Sequence, residues 1–197
     1  MARSYEANLE TSDELAAVNE MLSAIGESPV NTLEGDANAD VANCRRILNA
    51  VNIEVQSKGW TFNIEEDVTL TPDVFSKLIP WMPDFLTVRS PSGTTAYVNR
   101  NGYVYDRTNK TDEFTDPVVV TMIRQRGFEE MPTQFRTYII AKASQRFNIR
   151  FFGAAEIEAS LQTEVQEAWQ AVQEYELDFG QFNMLDGDAW TGGRLSR

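Results

Sequence analysis

Apolar residues first recur at helical spacing. Leu15, Val18, Leu22 and Ile25 step by three and four, which predicts an amphipathic helix. Thr11 with Glu14 fits a capping box at its start, and Gly26 with Ser28-Pro29 stops it. A second helix is expected from near Asp36, its cap, with Val41, Cys44, Leu48, Val51 and Val55 on one stripe and Gly59 at its end. The period then shortens to two. Trp60, Phe62 and Ile64 alternate with Thr61 and Asn63, the pattern of a half-buried strand that Val68 and Leu70 continue or follow. Pro72, Pro80, Pro83 and Pro91 exclude long helices from the next stretch, where Phe85 to Val88 reads as a short strand. Asn101-Gly102 between the β-rich runs 95–100 and 103–107 predicts a hairpin with a type I′ turn, because both central residues need positive φ. Val118 to Ile123 predicts one more strand. After Pro132 the helical period returns through Phe135, Tyr138, Ile139, Lys142, Ala143 and Phe147 toward Phe151, closed by Gly153. A last helix is expected from Ala155 on Leu161, Val165, Trp169 and Val172.

This order implies an α+β fold. Two N-terminal and two C-terminal helices form a four-helix core over residues 1–59 and 127–179, and a β-rich lobe over 60–126 is inserted between the halves. Residues 180–197 lack a sustained period and read as an extended tail.

Composition narrows the chemistry. The chain has 197 residues and no histidine, which removes Ser-His-Asp and Cys-His catalysis and any histidine pH switch. Its single cysteine, Cys44, cannot close an internal disulfide and sits on an apolar stripe as a buried thiol. No run of about 18 apolar residues and no signal-like start is present, so neither a membrane span nor secretion is expected. Thirty acids against 17 basic residues give a net charge of −13, which disfavours wrapping nucleic acid. Three classes survive: carboxylate chemistry, an acidic decoy of nucleic acid, and a part of an assembly.

Charge is segregated along the chain. Arg124, Arg126, Arg136, Lys142, Arg146 and Arg150 precede Gly153, whereas Glu156, Glu158, Glu164, Glu167, Glu174, Glu176, Asp178, Asp186 and Asp188 follow it without a basic residue between them. Two readings stand: a basic helix and an acidic helix attracting each other within one chain, or a basic edge meeting an acidic edge of another copy around a ring. The interaction candidates are Arg136, Lys142, Arg146 and Arg150 on one side. On the other are Glu164, Glu167, Glu174, Asp186 and Asp188, with Trp190 in the tail. Asp36, Asn38 and Asp40 open like a calcium loop, but Val41 stands where glycine is required and Ile47 where glutamate is. Asp186-Gly187-Asp188 reads as a turn. Thus no catalytic, metal or cofactor site is expected. Paired carboxylates with Trp60, Trp81 and Tyr97 as sugar-stacking rings leave a glycan hydrolase as the enzymatic alternative. The aromatic hairpin with Arg100 and Arg107 reads as cross-strand packing, with a base-stacking platform as the alternative.

The segments EGDANAD (34–40), KGWTFNIEE (58–66), YVNRNGYVYDRT (97–108), RFFGA (150–154) and NMLDGDA (183–189) carry a resemblance. They are similar, in order and over nearly the whole chain, to the tail tubular protein A family, the adaptor or gatekeeper proteins of T7-like short-tailed phages. The resemblance implies a virion tail component, synthesised in the host cytoplasm. It implies a ring of twelve copies between the portal and the nozzle (tail tubular protein B), with tail fibres attached near that junction. DNA would pass through the lumen without specific binding. It also implies a helical domain plus a β lobe, and it brings no catalytic motif.

Overall fold

The computed structural model describes residues 12–33 and 39–179. Ser12–Ser23 forms α1 and Ala39–Gln56 forms α2. Both bury the expected stripes: Val18 and Leu22 from the first, Val41, Cys44, Leu48, Val51 and Val55 from the second. The capping residues expected at Thr11 and Asp36 lie outside the described residues. Thr133–Phe147 forms α3 and Ala155–Phe179 forms α4. They run antiparallel, with Gln145 opposite Glu158 at one end and Phe135 opposite Tyr175 at the other. All four helices meet in one core around Met21, Ile47, Phe135, Ile139, Phe147 and Val172. Regular α-helix stops at Phe147, short of the expected Phe151, and residues Asn148–Phe152 widen into a π turn. Gly153 ends it at φ +62°, donating its N–H to Asn148 O at 2.7 Å. The Asn148 amide also bonds both backbone groups of Ala154, so the reversal into α4 is held by one side chain.

The inserted segment is a five-stranded antiparallel sheet: β1 (Ile64–Leu70), β2 (Phe85–Arg89), β3 (Ala96–Arg100), β4 (Tyr103–Asp106) and β5 (Val118–Arg124). Its strand order is β1-β5-β2-β3-β4. The Asn101-Gly102 hairpin is as expected, with φ of +54° and +82° at the two turn residues. One sheet face is closed by the segment's own loops. Phe85, Val88, Val120 and Met122 form one small cluster and Ile79, Val104 and Phe114 another, joined through Trp81 and Tyr97. Along the β4 edge, Trp81 donates to Gly102 O and Val104 to Ile79 O, each at 2.8 Å, so that edge is partly paired.

Residues 60–63 are not strand. They form a turn in which the Trp60 N–H donates to Asn63 Oδ1 at 2.8 Å and Asn63 N–H returns to Trp60 O at 3.0 Å. The alternation of Trp60 and Phe62 reflects burial against helices: both rings pack on Phe135, with centroids 5.1 and 4.7 Å away. Pairing with β5 begins only at Ile64. Both passages between helices and sheet cross at this turn. Buried Gln56 accepts the Arg126 N–H at 2.7 Å and donates to Arg126 O at 3.0 Å and Asn52 Oδ1 at 2.8 Å. Buried Asn63 donates to Gln56 O at 3.0 Å, and its own carbonyl accepts the Arg124 N–H at 2.9 Å. The side-chain amides of Gln56 and Asn63 are engaged at both oxygen and nitrogen, the condition under which a buried polar network specifies one geometry.

Candidate functional site: charged interaction surfaces

The basic residues of α3 find partners, but not on α4. Arg136 pairs with Asp13 of α1, while Lys142 and Arg146 both reach Glu54 of α2 at 2.8 Å. The Lys142 ammonium, joined by the Arg146 guanidinium, holds the Glu54 carboxyl below the ordinary carboxylate range. The attraction expected between a basic α3 and an acidic α4 is therefore not what joins them. Their contact is aromatic, with Tyr138 against Trp169 at 5.1 Å and Phe135 against Tyr175 at 5.8 Å. The α3 cations emerge on the side that faces α1 and α2. Arg150, in the π turn, is exposed and makes no ion pair among the described residues.

The acids of α4 are left with neutral partners. Glu158 accepts from Gln145 and Asn148, Glu174 from Gln170, and Glu176 from the Thr61 hydroxyl at 2.7 Å. Glu156, Glu164, Glu167, Glu174 and Asp178 are exposed, and no acid of α4 has a cationic partner among the described residues. Spacings of 11, 7 and 4 place Glu156, Glu167, Glu174 and Asp178 on one stripe of the helix. Glu164 and Glu167 also line an open groove of about 300 Å³ with Glu20 of α1 and Thr137 and Ser144 of α3. Burial raises the Glu20 carboxyl above its ordinary value, and the charge of Glu164 adds to the effect.

Unpaired positive charge stands on the sheet. Val88, Val104 and Asp106 point to the buried face, so the alternation sends Thr87 and Arg89, Ala96, Val98 and Arg100, and Tyr103 and Tyr105 to the opposite one. The Arg100 guanidinium stacks on the Tyr105 ring, 3.6 Å from its centroid. Arg107, exposed, stands one residue past β4. None of Arg89, Arg100 and Arg107 has an ion pair among the described residues, and the outward positions of β2 to β4 contain no acid. Elsewhere in the inserted segment, Arg124 bridges Asp84 and Glu65 and Arg126 pairs with Glu65, while Lys77 and Lys110 are exposed without an ion pair among the described residues.

Two features escaped sequence reading. Arg89 could not be placed beside the hairpin without knowing that β2 pairs β3 through Arg89 and Ala96. Val74 and Phe75, 86% and 95% exposed, form a loop tip fixed by Asp73, whose carboxylate accepts the Phe75 and Ser76 N–H groups at 3.0 and 2.8 Å. The signal was Pro72-Asp73, a turn-opening pair. Asp186, Asp188 and Trp190 lie outside the described residues. Among those described, no cluster of His, Cys, Asp or Glu is arranged to hold a metal, and no helix is long and apolar enough to cross a membrane.

A family model described as tail tubular protein matches residues 15–182. The chain is similar to tail tubular protein A of Klebsiella phage KP34, at 32% identity over 120 residues, 60% of this chain and 62% of that protein. The match thus spans about three fifths of the length of that relative. A tail tubular protein A sequence of Enterobacteria phage T3 is 62% identical over 29 residues, 15% of this chain and 97% of that short sequence.

Proposed function

The chain belongs to the tail tubular protein family, and from that premise we propose that this phage tail structural protein is a ring-forming adaptor between portal and nozzle. In this reading about twelve copies close a ring, the inserted β lobe and residues 180–197 reach toward portal and nozzle, and a tail fibre attaches near the junction. DNA leaves through the lumen. The observation that supports it is unneutralised charge of both signs on separate surfaces of one chain, acidic on α4 and basic on the sheet. Different, complementary patches on identical subunits generate head-to-tail contacts, which close into rings when the rotation permits. A net charge of −13 per copy then lines the whole assembly with a field that repels phosphate. Negative-stain microscopy of the full chain, alone and mixed with the portal, tests the proposal. Closed rings seated on the portal are expected, and a chain lacking Gly180–Arg197 should keep its helical circular dichroism yet fail to seat. Chains that never form rings in either mixture overturn it.

A second reading, a glycan hydrolase working through two carboxylates, is favoured by one observation: the raised carboxyl of Glu20 beside Glu164 in an open groove. Reducing-sugar release from capsular polysaccharide that disappears in Glu20→Gln would support it. No release above a heat-killed control ends it.

A further inference from the structure

We propose that the outer face of strands β2 to β4, built on Arg89, Arg100, Tyr103 and Tyr105, receives the acidic stripe of α4, Glu167, Glu174 and Asp178, from a second copy of this chain. The inference rests on the ring reading above and assigns the surfaces that would build it.

The dimensions agree. Glu167 to Asp178 spans eleven residues, about 16 Å along a helix. Arg89 faces Ala96 one strand across, and Arg100 lies four residues further along β3, so the two guanidiniums are rooted about 14 Å apart. Ala96 and Val98 between them are small and leave a shallow seat. Leu177, 63% exposed and three residues past Glu174, adds an apolar contact beside the acidic stripe within reach of Tyr103, itself 39% exposed. Stacking on Tyr105 already orders Arg100, so less side-chain freedom is lost on docking.

Charge complementarity selects the occupant. The outward positions of β2 to β4 carry arginine without acid, and the α4 stripe carries acid without base. Within one chain neither surface has an ion-pair partner among the described residues. Nucleic acid would also match arginine and tyrosine, but it would have to approach a chain of net charge −13, whereas every neighbouring copy presents the acidic stripe locally. Exposed charges steer such a contact and fix its register.

Two full-length variants test the assignment: Arg89→Glu/Arg100→Glu and Glu174→Lys/Asp178→Lys, each verified as folded by circular dichroism. Sedimentation velocity in low salt should show wild-type self-association that weakens as salt is added. Each variant alone should associate at least about tenfold more weakly, because like charges then face each other. Mixing the two should restore association, since the acidic sheet of one now meets the basic helix of the other and the second contact keeps its native charges. If each variant associates as wild type does, this surface pair is wrong while the ring reading stands. If wild type stays monomeric up to roughly 100 µM, this self-recognition is overturned, while rings formed on the portal would leave the ring reading standing. Should duplex DNA bind wild type and not Arg89→Glu/Arg100→Glu, with self-association equal in both, the face belongs to nucleic acid and the proposal is overturned.

Discussion

Glu14 is 1% exposed, yet only one of its carboxylate oxygens has a partner: Oε1 accepts from Arg45 Nε at 3.2 Å, and Oε2 has none among the described residues. Burial raises its carboxyl above the ordinary value of 4.5, outweighing the opposing pull of Arg45. A native-state value above the unfolded one means that the folded chain holds this proton more tightly. The stabilisation is full below 4.5 and is lost as pH rises through the folded value, so at pH 7 the ionised group is a cost. Glu14→Gln should therefore raise Tm at pH 7, and the gap should close as pH falls below 4.5. A lower Tm for the variant at pH 7 would show that the Arg45 bond outweighs burial. Cys44 follows the same logic with a simpler result. Burial, with a smaller contribution from Asp40, pushes its thiol up to about 12. Iodoacetamide at pH 8 should label it only after denaturation, and mass spectrometry of the native protein should find it unmodified.

Phe135 is the point at which separate elements meet. Fully buried on α3, it contacts Trp60 and Phe62 of the turn before β1 and Tyr175 of α4. Phe135→Ala should cost about 3–5 kcal/mol in urea unfolding, because aromatic packing on three sides cannot collapse into the space left. Breaking the Glu54 contacts with Lys142 and Arg146 should cost less than about 1 kcal/mol, since the Glu54 side chain is 43% exposed. The helical stripes and the Asn101-Gly102 turn were legible because local spacing and backbone sterics determine them. The strand expected from Trp60 was misread because period two does not say which neighbour the rings face, and here they face a helix. The partners of Arg136, Lys142 and Arg146 were illegible for a similar reason. Sequence order sets these cations beside the acidic α4, while the rotation of α3 turns them toward α1 and α2. Of the charged surfaces, the acidic stripe could be read from its spacing, but the basic one depends on strand register.

At the scale of the whole molecule, helices and sheet keep separate apolar clusters, and the net charge of −13 falls mostly on the helical segments 1–59 and 127–179. DNA affinity should accordingly be weak and change little with salt in a fluorescence-anisotropy titration. Tight binding that collapses on raising salt would mean that phosphates find a continuous basic track. The clasp at Gln56 and Asn63 bears on how such a part carries load. Both backbone passages between helices and sheet run through it, and its amide bonds tie them together side by side. Bonds in parallel share a load, so prising the sheet away from α2 requires breaking them together. The sheet is then a spoke held at its hub.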